Sequence, residues 1–162
     1  MKKAIFKKSV IGAILVSILV CASMVRSHCQ IPCGIYGDQS RFDMIAENIT
    51  TIEKSMRQIT ELSQKDKPNF NQIVRWVQNK ENHADELSHV VTYYFMAQRV
   101  KPVKKANDKA YEDYVKKLTL LHELLVCSMK AKQTTDLSNV ERLRALLAEF
   151  RAAYLEEHGH EH

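Results

Sequence analysis

Three residues near the start of the chain, His28, Cys29 and Cys33, have the types and spacing to hold a redox metal. With His28 as the first residue of a processed chain, its amine and imidazole, the backbone amide and thiolate of Cys29, and the thiolate of Cys33 offer five donors. The amine, the deprotonated amide and the two sulfurs can form a square plane, which suits Ni(II) or Cu(II) better than tetrahedral zinc. The imidazole can then stand above that plane. Thiolates and an anionic amide nitrogen are electron-rich, and such donors bring the Ni(II)/Ni(III) couple into a range that water as ligand does not reach. Pro32, with its fixed φ and restricted predecessor, can fold the chain back so that Cys33 meets the metal. Gly34 permits the turn that follows. The plain alternative for Cys29 and Cys33 is a small disulfide loop.

A free amine at His28 requires cleavage before it, and residues 1–27 read as a secretory signal peptide. A lysine-rich start precedes an apolar run from Val10 to Met24, and Val25-Arg26-Ser27 makes an acceptable cleavage site. A cut after Ala22 is a second option. The run is short for a retained anchor, which needs about 20 apolar residues. The formal charge of +5 belongs to this leader. Lys2, Lys3, Lys7, Lys8 and Arg26 precede His28 and no Asp or Glu does, so residues 28–162 hold 19 basic and 19 acidic groups and are formally neutral. That balance argues against a nucleic-acid partner and restricts membrane contact to export. The mature protein is expected to be periplasmic or extracellular.

The elements that must position this segment are helical. Phe42, Ile45, Ile49, Ile52, Met56, Ile59 and Leu62 recur at steps of three and four, which predicts a helix over about 39–64. Lys65-Asp66-Lys67-Pro68-Asn69 breaks it. A second helix carries Phe70, Ile73, Val74, Val77, Ala84, Leu87, Val90, Val91, Tyr94 and Phe95 and ends before Pro102. A third starts at Asn107-Asp108 and runs through Tyr111, Leu118, Leu121 and Leu125 to Cys127, a small core residue. Thr134-Thr135-Asp136 ends it, and Ser138-Asn139-Val140-Glu141 has the Ser-x-x-Glu spacing of a capping box opening a fourth. With 45% hydrophobic residues and only 4 glycines in 162, the chain is expected to be all-α. The architecture is an up-down-up-down four-helix bundle with an N-terminal metal-binding hook. The expected boundaries are 1–27 for the leader, 28–38 for the hook, 39–157 for the bundle and 158–162 for a His-rich tail.

The segment from His28 to Tyr36 resembles the metal hook of nickel superoxide dismutases, His-Cys-x-x-Pro-Cys-Gly-x-Tyr: His28, Cys29, Pro32, Cys33, Gly34 and Tyr36 fill every fixed position. A weaker likeness runs through Lys80-Glu81, Tyr94-Phe95 and Lys101-Pro102. The resemblance implies one nickel ion per chain held by His28, Cys29 and Cys33, with Tyr36 gating the substrate side and Tyr94 lining the access region. It implies disproportionation of superoxide to oxygen and hydrogen peroxide by Ni(II)/Ni(III) cycling, in a homohexamer. Gln30 stands where many members carry Asp. The family supports its axial histidine with a carboxylate from helix one and an arginine from helix two. Asp43 or Glu47 could supply the first, whereas Lys80-Glu81-Asn82-His83 contains no arginine. The other function class is a non-catalytic exported nickel- or copper-binding or metal-delivery protein using the same chelate with the tail His158-Gly159-His160-Glu161-His162. His83, His89 and His122 are expected to be solvated or hydrogen-bonded helix residues rather than ligands.

Overall fold

The computed structural model describes residues 37–105 and 108–158. The leader, the hook through Tyr36, the Asn107 helix start and the end of the tail lie outside the described residues. Four helices follow in order: α1 Asp38–Ser63, α2 Phe70–His89, α3 Asp108–Gln133 and α4 Ser138–His158. The α2 rod continues through a π-helical stretch, Val90–Arg99. No strand occurs among the described residues. Sequential helices pack side by side and α4 closes against α1, the four-helix bundle that the apolar periodicities predict.

Local chemistry explains the boundaries. Asn69, after Pro68, caps α2 by accepting the Gln72 N–H at 3.2 Å. The α4 entry departs from the predicted capping box. Ser138 is itself the first helical residue, and Asp136 accepts its N–H at 2.9 Å and its hydroxyl at 2.7 Å. An acid two residues upstream thus does the work assigned to the serine, because its two oxygens can take both donors at once.

The core is a continuous seam of Phe42, Ile45, Ile49, Ile52 and Met56 from α1 with Ala84, Leu87, Tyr94 and Phe95, Leu121 and Leu124, and Leu143, Leu146, Phe150 and Tyr154. Cys127 is part of it, with its thiol donating to the Asn139 carbonyl at 3.3 Å. Where α2 meets α3 the residues are small. Ser128 donates to the Ala84 carbonyl at 2.9 Å, and Ser88 to Ser128 at 3.2 Å, so the two helices approach closely without burying an unsatisfied hydroxyl.

Lys80 is buried and reaches the end of α3, where its ammonium donates to the carbonyls of Ala131 at 2.9 Å and Thr134 at 3.2 Å and to that of Lys132. A helix ends with carbonyls that have no intrahelical partner and with a partial negative charge, and a cation there answers both. Burial pulls the ammonium below the usual lysine range, against the opposing pull of Glu81.

That bond also marks where the α3–α4 turn stops along α2. Residues 70–79 extend beyond it by roughly 15 Å at helical rise and pack on α1, where Asn79 donates to Ser55 at 3.0 Å and Lys54 stands 5.8 Å from the Trp76 ring centre. The apolar face expected there is therefore open: Phe70 is 71% and Val74 66% exposed. The periodicity correctly marks a helix, but the helices that would cover this face are too short to reach it.

Candidate metal centre

The N-terminus of α1, the C-terminal end of the π-helical stretch and the last turns of α4 meet at the end of the bundle where the hook joins. The junction is Asp38, two residues after Tyr36 and the first residue of α1, where an acid also suits the positive end of the helix. Its Oδ1 accepts the Tyr94 hydroxyl at 2.5 Å and the Arg99 Nε at 2.7 Å, and Arg99 Nη2 lies 2.5 Å away. Its Oδ2 accepts the Tyr154 hydroxyl at 2.7 Å. One carboxylate thus ties α1 to both other elements through two phenols and a guanidinium.

The π geometry makes this possible. In an α-helix residues five apart point about 140° away from each other, at 3.6 residues per turn, so Tyr94 and Arg99 could not share a target. Bonding between residues five apart brings them close to one line. Such bonding persists at the end of the stretch, where the Val100 N–H donates to the Phe95 carbonyl at 2.8 Å.

Burial opposes ionisation of Asp38, but the hydrogen bonds from Tyr94, Tyr154 and Arg99 outweigh it and hold the carboxyl below its ordinary range. The same contacts act in reverse on the phenols. Burial, and then the hydrogen bond to Asp38 and its charge, push Tyr94 and Tyr154 above the ordinary tyrosine value, so both remain neutral donors. Beneath them Phe95 packs on Phe42 and Phe150, with ring centres 4.9 and 5.0 Å apart. The guanidinium carbons of Arg41 and Arg99 stand 5.3 and 5.4 Å from the centre of the Tyr94 ring.

Of the residues singled out in the sequence, Tyr94 is in this cluster, fully buried. His28, Cys29, Cys33 and Tyr36 lie outside the described residues. Asp43 and Glu47 are exposed on α1, with Asp43 accepting from Gln39 at 2.6 Å. The arginine sought in the Lys80–His83 segment is absent there. Instead, Arg99 reaches the cluster from the end of the same rod and Arg41 from α1. His83 is hydrogen-bonded to Asn48 at 2.6 Å, and the His89 ring lies 4.5 Å from that of Tyr93. Nothing in the spacing of Asp38, Arg41, Arg99 and Tyr154 marks them as a cluster. Tyr154 reads from sequence as another apolar core position, and only the shift to π geometry puts Arg99 in line with Tyr94.

The described residues thus form an all-α bundle whose first helix follows a short Cys- and His-bearing segment. Residues 23–158 match the family model described as nickel-containing superoxide dismutase. The chain belongs to that family: it is an oxidoreductase that converts two superoxide ions and two protons to oxygen and hydrogen peroxide, and its cofactor is nickel. No curated protein and no solved structure matches the chain.

Proposed function

We propose that the nickel of this dismutase is held by the amine and imidazole of His28, the amide and thiolate of Cys29 and the thiolate of Cys33, in a chain exported and cleaved before His28. Two thiolates, an amine and an amide form a donor set that would suit nickel. Among the described residues no three His, Cys, Asp or Glu side chains gather in a way that could hold a metal ion, which supports placing the ligands in the hook. Nickel supplies the one-electron couple, and the remaining work falls to this chain's own groups. Tyr36 carries a phenol with an ordinary pKa of about 10, so at working pH it can donate a hydrogen bond to an incoming anion or to departing peroxide. Tyr94 contributes to the wall of the same region. The family likeness supports a homohexamer. No helix among the described residues is long and apolar enough to cross a membrane.

The observation that carries the reading is the rooting of the chain at Asp38. The last fixed residue of the hook motif is two positions from a carboxylate held by three side chains. The test is intact mass and metal content of the purified mature chain, followed by one added residue ahead of His28. The expected result is a chain starting at His28 with one nickel, and loss of activity in the extended form, where the amine has become a peptide nitrogen. Full nickel occupancy and activity in the extended chain would remove His28 from the ligand set. Tyr36→Phe should keep nickel and slow superoxide decay in pulse radiolysis.

A further inference from the structure

We propose that Asp38 is a positioning residue for the metal hook, a latch whose carboxylate fixes where the hook leaves the bundle and keeps the Tyr94 proton committed to itself. The inference rests on the ligand assignment above. A chain spans at most about 3.6 Å per residue. Cys33, five residues before Asp38, therefore lies within about 18 Å of it, and Tyr36 within about 7 Å. Whatever sets Asp38 restricts both.

The bonding exceeds what a helix start requires. An exposed acid in the first turn is satisfied by water and by the helix end, yet Asp38 accepts from Tyr94 at 2.5 Å, Arg99 at 2.7 Å and Tyr154 at 2.7 Å. The phenols that hold it are themselves fixed. Tyr94 and Tyr154 are buried, and their rings pack edge-on against Phe95 with centres 5.1 and 5.6 Å apart. The latch is thus set against the buried aromatic core.

The direction of the Tyr94 bond divides labour between the two tyrosines. A phenol has one proton. That of Tyr94 is given to a carboxylate, a charge-assisted bond of the stronger kind, so toward the substrate side Tyr94 offers only a lone pair and the wall of its ring. Donation to superoxide or peroxide is then the task of Tyr36. Tyr94 acts through Asp38, by holding the root of the segment that carries the ligands.

The test uses mature nickel-loaded protein, as wild type, Asp38→Asn and Tyr154→Phe. Circular dichroism checks the fold, and two readouts bear on the hook: the rate of nickel release to excess EDTA and the electron paramagnetic resonance line of Ni(III). Groups that orient metal ligands typically change metal affinity or activity by about 10- to 100-fold. Asp38→Asn should load nickel yet release it faster by that order, with a broadened Ni(III) line. Tyr154→Phe, which removes one of the bonds and leaves the charge, should shift both in the same direction by less. If Asp38→Asn does not fold, Tyr154→Phe decides the matter alone. A variant that melts at lower temperature but keeps the wild-type release rate and Ni(III) line overturns the latch and leaves a helix-stabilising bond. A wild-type chain with no nickel at the hook overturns instead the ligand assignment, and with it the premise of the latch.

Discussion

The two ends of the bundle are built on opposite plans. At the hook end, α1, the π-helical stretch and α4 converge on a buried aromatic cluster capped by Asp38. At the far end, the start of α2 runs past the α3–α4 turn as a spur whose apolar stripe faces outward, tied to the end of α3 through Lys80. Three side chains converge on one carboxylate at the first end, whereas Phe70 and Val74 lie open at the other.

The largest expected effect that distinguishes the ends is at Phe95, which touches Phe42, Phe150, Tyr94 and Tyr154. Phe95→Ala should cost about 3–5 kcal/mol in urea unfolding, as large-to-small changes in a packed core do. A cost below about 1 kcal/mol would mean that the aromatic end is as loose as the spur.

Lys80→Met comes next. It keeps the apolar stem but leaves the carbonyls at the end of α3 without their cation, and unfolding should become easier by about 1–3 kcal/mol. Hydrogen exchange should show the loss first in the last turn of α3. Uniform loosening of the hook end would contradict the division of labour.

The acid limb of stability offers a subtler comparison. Asp38 has a folded pKa below its ordinary 3.8. Its contribution is therefore fully present above the carboxylate range and is lost as pH falls through the folded value. Wild type should lose stability more steeply than Asp38→Asn from about pH 4 downward, and the two slopes should agree near neutrality. Parallel curves throughout would show that the carboxylate gains nothing from its partners.

The smallest effect belongs to the spur. Phe70→Ser, at a residue 71% exposed, should change unfolding of the chain by no more than about 0.5 kcal/mol. A loss approaching that of Phe95→Ala would show that another surface covers this face in solution.

The fold was legible because its signals are local. Steps of three and four from Phe42 to Leu62, Pro68 before α2 and the Thr134–Asp136 break each act within a few residues, and the helices begin and end within a residue or two of where these signals put them. What escaped depends on geometry between elements. The exposure of Phe70 and Val74 is decided by how far α3 and α4 extend, which no pattern in α2 encodes. The capping of α3 by Lys80 pairs residues more than fifty positions apart. Arg99 is hidden for a different reason: helical bookkeeping at 100° per residue sends it away from Tyr94, and only π-type bonding brings both to Asp38. The hook reading is of the opposite kind: it rests on a dense run of donors at fixed spacing and on no tertiary contact, and its residues His28, Cys29, Cys33 and Tyr36 lie outside the described residues.

The latch also sets an order of events during folding. Its bonds join residues separated by 56, 61 and 116 positions, the last linking Asp38 to Tyr154 near the chain's far end. Contacts of such sequence separation close late, after local helices have formed and docked. Asp38 leaves the ribosome well before Tyr154, so its set of bonds is completed only when α4 arrives. A truncated chain lacking Tyr154 therefore carries Asp38 while missing one of the three side chains that hold it.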